Sequence, residues 1–191
     1  MGLPIKITNP KEIPPGHVWT VSEEDLKLIT EQNEALANIR GRVISVALLV
    51  EQKLDDIISL IFMGNNLNGT TLFKELLLNK EFFTFMSKWR LFRDLTNLKI
   101  INIADEKVRK KILTLIKDVI EIRDKFAHGD IVFSGTQPQL YYIRDGEKKY
   151  DILDAEYFKN LDTIFGQSLF FLEDIYKFLR GERPVEKKSE K

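Results

Sequence analysis

The sequence predicts an all-α fold, a helical bundle with a small β-hairpin inserted before the C-terminal helix. Apolar residues recur at helical spacing over most of the chain, and short β-prone runs (IVFSG, QLYYIR and KKYDIL) occur only after Gly129. The chain has 191 residues, which is enough for one domain with a sizeable core and short for two. We therefore expect an extended proline-rich arm (residues 1–21), a single helical domain (22–180) and a flexible charged tail (181–191).

The first predicted helix begins at Ser22 and ends near Met63. Prolines exclude a regular helix before it, and Ser22 followed by three acidic residues is typical of a helix N-terminus. A straight helix of this length would be about 60 Å long, whereas a compact domain of this size is about 40 Å across. Either the helix breaks or kinks near Gly41, which we favour, or one end projects and requires another subunit to cover it.

Local signals define the next elements. The segment GNNLNGT is predicted to be a loop. Two short amphipathic pieces follow, around Leu72–Leu78 and Glu81–Leu95. Asp105 opens a longer helix that runs through Ala127, with Gly129 in the position where a glycine commonly ends a helix.

The last part of the chain combines the hairpin with a helix. Asp145-Gly146 is a hairpin turn signal between two β-prone runs. A helix is then predicted from about Ala155 to Leu179, because its apolar residues fall on one stripe. That stripe comprises Phe158, Leu161, Ile164, Phe165, Leu169, Leu172 and Tyr176.

The composition excludes several kinds of site. The chain has no cysteine, which excludes disulfides, thiolate zinc sites and cysteine nucleophiles. Its formal net charge is zero, which argues against a non-specific nucleic-acid coat protein and leaves room for a local basic cleft. The two histidines and the acids show no metal-ligand spacing, and no glycine-rich phosphate loop is visible, so we expect neither metal nor cofactor. Without a spanning segment or signal peptide, we expect a cytoplasmic protein with no membrane contact.

The stretch IRDKFAHGD places an arginine on an apolar helix face. On a helical wheel Arg123 lies near the middle of that face, whereas Asp124 and His128 lie on the solvated side with Lys117 and Glu121. The apolar face comprises Ile112, Ile116, Val119, Ile120, Phe126 and Ala127.

A buried arginine requires an acidic partner or a cleft. The predicted partner is Glu51, at the edge of the apolar face that the first helix forms with Ala47, Val50, Leu54, Ile57 and Ile61. On spacing alone, this favours a structural salt bridge, with His128 paired to Asp124 and acting as a cation at the helix C-terminus. Arg123 and His128 lie roughly 140° apart on a regular helix, so one helix alone would not direct both side chains to one point.

The residues R-D-K-F-A-H, Arg123 to His128, resemble the signature of the HEPN superfamily. That signature is an arginine, a polar residue and, a few positions later, a histidine, matched here by Arg123, Asp124 and His128. Phe126, Ala127 and Gly129 also fit a frequent form of the motif. HEPN proteins are small α-helical domains, many of them ribonucleases in toxin–antitoxin, abortive-infection and CRISPR-associated defence systems, whereas others are binding or dimerisation modules.

The resemblance implies a homodimer whose two motifs form one composite site for metal-independent RNA cleavage. The 2′-hydroxyl would attack the adjacent phosphate, leaving a 2′,3′-cyclic phosphate and a free 5′-hydroxyl. His128 would transfer protons, Arg123 would bind the phosphate and its transition-state charge, and Asp124 would orient His128 or position the 2′-hydroxyl. Glu51 resembles the supporting acid that several HEPN families carry on the upstream helix.

Two alternatives to a nuclease remain open from the sequence. One is a non-catalytic HEPN-like binding or dimerisation module, and the other is an unrelated bundle that matches the motif by chance. No nucleotidyltransferase domain accompanies the motif, so any antitoxin or defence-system partner would be a separate protein.

RNA contacts are predicted at two basic clusters, for which the alternative is a solvated helix face. The clusters are Arg109, Lys110 and Lys111 at the start of the motif helix, and Lys88, Arg90 and Arg93 in SKWRLFRD. Trp89 and Phe92 are interpreted as core residues rather than base-stacking groups, and Tyr141 and Tyr142 as sheet residues. His17 in the arm is assigned no role.

Overall fold

A computed structural model of the chain describes residues 22–134 and 137–182. The arm (1–21) and residues 183–191 of the predicted tail lie outside these ranges, as does His17. The helical elements are α1 (Glu23–Met63), α2 (Leu67–Phe73) with a π-helical turn (Lys74–Leu78), α3 (Phe85–Asn97), α4 (Glu106–His128) and α5 (Ala155–Leu179). Strands β1 (Asp130–Ser134), β2 (Gln137–Arg144) and β3 (Glu147–Ile152) form an antiparallel sheet between α4 and α5. The predicted bundle with a small β-insertion before the last helix is confirmed.

Helix α1 is the central element and packs against α3, α4 and α5. The predicted break at Gly41 is wrong, because α1 is one continuous helix of 41 residues. A single glycine costs a helix only about 1 kcal/mol, and burial of the apolar residues that follow it offsets that cost. Those residues are Val43, Ala47, Val50, Leu54, Ile57 and Ile58.

The N-terminal part of α1 lies outside the core. Leu26, Leu28 and Ile29 are 52%, 50% and 38% exposed, and Val43 is the first buried residue among the described side chains of this helix. The structure therefore corresponds to the other arrangement that the helix length allows, in which one end projects. Among the described residues, no helix combines the length and apolar character that crossing a membrane requires.

The loop predicted after α1 is shorter than expected. The side chain of Asn66 accepts a hydrogen bond from the backbone N–H of Gly69 at 3.0 Å and thereby caps α2, which begins at Leu67. The loop prediction is wrong from Leu67 onward. Asparagine is a strong helix N-cap as well as a turn residue, so the same letters fit either structure.

The motif helix and the last helix begin where the sequence predicts. Asp105 accepts a hydrogen bond from the backbone N–H of Lys107 at 2.7 Å, and Asp154 accepts one from that of Tyr157 at 2.8 Å. These caps satisfy N–H groups that have no partner within the helix. They fix the start of α4 and therefore the position of the motif at its far end.

The sheet is organised by the turn between β2 and β3. Asp145 and Gly146 have φ values of 55° and 78°, as a two-residue turn of the hairpin type requires. The resulting register places Tyr141 of the central strand β2 between Asp130 of β1 and Tyr150 of β3. The sheet lies directly after α4, so β2 forms one wall beside the motif.

Candidate functional site

Helix α4 presents the motif much as its wheel predicts, with one difference at Arg123. The apolar face is buried from Ile112 to Phe126, but the side chain of Arg123 is 36% exposed. Its Nη1 donates to Oδ1 of Asp124 at 2.8 Å. The expected burial of Arg123 is therefore wrong, because an arginine can lay its stem along apolar surface while its guanidinium stays in water.

A cleft of about 450 Å³, here called the motif cleft, opens between α4 and β2. Asp124 and His128 are one helical turn apart and line this cleft together, as residues at this spacing share a helix face. The guanidinium of Arg123 is tied to the carboxylate of Asp124 and thus lies beside the cleft. Glu121 and Lys125 of α4, and Tyr142 and Arg144 of β2, complete most of the lining.

Lys125 holds the sheet against the motif helix. Its Nζ lies 2.8 Å from Oδ2 of Asp151 and 4.2 Å from the ring centre of Tyr142, whose hydroxyl donates to Oδ1 of Asp151 at 3.0 Å. Partial burial alone would lower the pKa of Lys125, but its bonds to Asp151 and Tyr142 outweigh burial and raise that pKa. Lys125 therefore stays charged, and the sheet wall of the motif cleft is held in place.

The chain leaves α4 through a tight passage at Gly129. Its backbone is extended, with φ −86°, so the glycine is not needed for a left-handed conformation. A Cβ at this position would lie 2.5 Å from the backbone oxygen of Lys125 and 2.6 Å from that of Tyr141. Arg40 of α1 donates from Nη2 to the backbone oxygen of Gly129 at 2.7 Å and so fixes the segment that follows His128.

No family model matches the chain. No curated protein and no solved structure matches it either. Within residues 22–134 and 137–182, no group of three or more histidine, aspartate or glutamate side chains is arranged to hold a metal ion.

Glu51 contacts Lys88, and its predicted pairing with Arg123 is wrong. The Nζ of Lys88 lies 2.8 Å from Oε1 of Glu51 and 2.9 Å from Oδ2 of Asp55. Glu51 and Asp55 are one turn apart on α1, so both carboxylates reach the same ammonium group. Lys88 is only 4% exposed, which makes its prediction as an RNA contact wrong as well.

This buried cluster holds two acids and one base. Oδ1 of Asp55 and Oγ of Ser59 are buried and have no hydrogen-bond partner among the described residues. Burial raises the pKa of Asp55 to about 6, although its bond to Lys88 acts in the opposite direction. The folded protein therefore binds a proton at Asp55 more tightly than the unfolded chain does.

Asp55→Asn should reveal this balance as a dependence of stability on pH. Because the folded pKa lies above the ordinary value of 3.8, ionisation of Asp55 lowers the stability of the wild type as pH rises towards 6. Between about pH 4.5 and about pH 7.5, we expect the variant to gain roughly 2 kcal/mol in free energy of unfolding relative to the wild type. Urea unfolding at both pH values measures the gain, and an equal difference between the proteins at both would contradict it.

The other predicted RNA contacts are half-buried or exposed cations, and Arg93, Arg109 and Lys110 pair with neighbouring acids. Arg109 bonds Glu106 and Asn97, and Arg93 bonds Asp94. These pairs favour the interpretation of a solvated helix face. The exposed members of the clusters are Arg90, Lys110 and Lys111.

The aromatic residues of α3 belong to the core, as predicted. Phe92 is fully buried, and the indole N–H of Trp89 donates to the backbone oxygen of Leu113 at 2.9 Å. Neither residue lines the motif cleft. Because Phe92 is fully buried, it cannot stack on a base.

Proposed function

We propose that the protein is a HEPN-like, metal-independent endoribonuclease that acts as a homodimer in a defence or toxin–antitoxin system. The observation that supports this most is the position of Asp124. Its carboxylate is bonded to Arg123, and it lines the same cleft as His128 one turn later. A cation for phosphate, a carboxylate and a group for proton transfer thus adjoin at one end of α4.

The proposed reaction uses the nucleophile that RNA itself carries. The 2′-oxygen forms a bond to phosphorus and passes its proton to a neutral imidazole, while the bond from phosphorus to the 5′-oxygen breaks and that oxygen takes up a proton. Imidazole suits both transfers because its neutral and charged forms coexist near neutral pH. Arg123 binds the non-bridging oxygens and the charge that develops on them, and Asp124 orients His128 or the 2′-hydroxyl.

A second copy of the chain supplies what one helix lacks. Positions 123 and 128 are roughly 140° apart around a regular helix, and a two-fold axis beside the motif would bring Arg123 of one copy to His128 of the other. Two imidazoles in one site also allow one to accept a proton while the other donates. The exposed leucines and isoleucine on the projecting part of α1 offer apolar surface for dimerisation.

The second candidate function is a non-catalytic HEPN-like binding or dimerisation module. The same exposed part of α1 favours it, because Leu26, Leu28 and Ile29 provide a contact surface without any chemistry. In this case Arg123 and His128 serve as ligand or interface residues.

The deciding experiment is a cleavage assay on single-stranded RNA and matched DNA with EDTA present. We expect the wild type to cut only the RNA and to leave 2′,3′-cyclic phosphate ends. His128→Ala and Arg123→Ala should each slow cleavage by at least about a hundredfold. Lys159→Ala, which removes an exposed cation on α5, should leave the rate unchanged. Sedimentation of the same proteins should give the mass of two chains.

The possible results separate the candidates. Variants that cut as fast as the wild type would show that the activity comes from elsewhere. If the wild type is folded and dimeric yet leaves RNA intact, the binding module becomes the better account.

A further inference from the structure

One face of the sheet is exposed and largely apolar. Neighbouring residues of a strand point to opposite faces, and the face opposite to this one buries Leu140. A cluster of exposed apolar side chains on a soluble protein often marks a binding site. The exposed cluster consists of Val132, Tyr141, Ile143, Tyr150 and Ile152.

Two tyrosines lie side by side at the centre of this face. Tyr141 and Tyr150 are paired across β2 and β3, and their ring centroids are 5.6 Å apart. They are 39% and 57% exposed. The hydroxyl of Tyr141 is bonded to Oε1 of Gln139 at 2.7 Å, which restrains that ring. Two aromatic rings held on a rigid sheet form a surface on which unpaired bases of any sequence can stack.

A groove of about 350 Å³ connects Tyr141, the first of these two tyrosines, to the motif. It runs from Tyr141 and Ile143 to His128, and His128 lines both this groove and the motif cleft. Lys148 supplies a cation in the groove for a phosphate, and Asp130 supplies an acceptor for a base amino group. An RNA strand whose bases lie on the sheet face could therefore continue along the protein surface to the motif cleft.

We propose that the exposed sheet face binds unpaired bases of single-stranded RNA by stacking on Tyr141 and Tyr150, and so directs the strand to His128. Cleavage of the bound strand rests on the proposed nuclease function, whereas binding does not. Bases in a duplex are already paired and stacked, so the surface selects single strands. Stacking is tolerant of sequence, and a chain with zero net charge can use it without a large basic surface.

The test is a binding measurement with an oligonucleotide that cannot be cut. A labelled single-stranded RNA with 2′-O-methyl groups lacks the nucleophile, and fluorescence anisotropy with the full chain gives its Kd. Tyr141→Ala and Tyr150→Ala should each weaken binding about tenfold, and the double variant by more. Tyr141→Phe and Tyr150→Phe should stay within about twofold, because stacking requires the ring and not the hydroxyl. Annealing the oligonucleotide to its complement should abolish tyrosine-dependent binding.

Phe82→Ala is the matched control, since Phe82 is 69% exposed and lies outside the sheet. It should bind like the wild type. Equal binding by the wild type and the double alanine variant would overturn the proposal, as would a wild type that does not bind the oligonucleotide. Alanine variants that change the sedimenting mass and leave RNA affinity intact would also overturn it, because the face would then join two copies.

Cleavage measured in parallel separates this inference from the nuclease. If the double alanine variant cuts unmodified RNA with an unchanged KM, the result supports the nuclease function and contradicts the stacking surface. If binding depends on the tyrosines but no RNA is cut, the result supports the stacking surface and contradicts the nuclease function.

Discussion

Lys88→Met should lower the free energy of unfolding by about 3–5 kcal/mol at neutral pH, because it leaves the buried carboxylate of Asp55 and the largely buried one of Glu51 without their cation. The side chains of Lys88, Glu51 and Asp55 are 5%, 17% and 9% exposed. Water therefore has little access to the two carboxylates and cannot stabilise their charges in place of the ammonium group. Methionine is about as long as the lysine stem, so the loss should come from charge rather than from a cavity. Urea unfolding measures the change.

Lys110→Met is the matched control for this prediction. Its side chain is 73% exposed and lies 3.6 Å from Glu106, so its replacement should change stability by less than about 0.5 kcal/mol. Adding Glu51→Gln and Asp55→Asn to Lys88→Met should recover most of the loss, since both acids are then neutral. If Lys88→Met proves as stable as Lys110→Met, the buried ion pairs do not contribute as inferred.

The parts of the fold that depend on local sequence could be predicted. The start of α4 follows from the capping Asp105, the extent of α5 from its apolar stripe, and the hairpin from Asp145-Gly146. That turn also fixes the register: counting back from the pair of Arg144 and Glu147 places Tyr141 opposite Tyr150. The tyrosine pair was therefore within reach of the sequence, although only the structure shows that its face is exposed.

Contacts between distant elements were harder to predict. Glu51 was predicted to pair with Arg123, whereas in the structure it pairs with Lys88, which the core encloses. A signal for Lys88 was present, because Phe85, Lys88, Phe92 and Leu95 recur at helical spacing and Lys88 thus lies on the buried stripe of α3. The bond from Arg40 to Gly129 spans 89 positions and has no local signal.

The motif itself was located correctly on α4, but its surroundings were not. Periodicity placed Asp124 and His128 on one side of the helix and Arg123 on the other. It could not show that Arg123 bends towards Asp124, nor that the sheet packs against this helix end to form a cleft. The packing of the sheet depends on the tertiary contacts of Lys125 and Gly129, which the neighbouring residues in the sequence do not specify.

Gly129→Ala should lower the free energy of unfolding by about 3 kcal/mol, at the upper end of the usual effect of an added methyl group in a packed site. The new Cβ would meet two backbone oxygens at 2.5 and 2.6 Å, one in α4 and one in the central strand β2. Neither can move alone, because the N–H of Gly129 is bonded to the first at 2.8 Å and Tyr141 is paired on both sides. The alanine must therefore push the sheet away from the end of α4.

Gly166→Ala is the control that tests whether the lack of space at Gly129 causes the predicted loss of stability. A Cβ at Gly166 in α5 would meet nothing within 4 Å, so this change should stabilise the protein by about 0.5–1 kcal/mol through helix propensity. Similar unfolding curves for the two variants would contradict the close approach at Gly129.

Gly129→Ala should also affect function, since both the motif cleft and the groove from the sheet face lie where α4 meets β2. Gly129→Ala should therefore weaken RNA cleavage and RNA binding together, even in conditions where the variant remains folded.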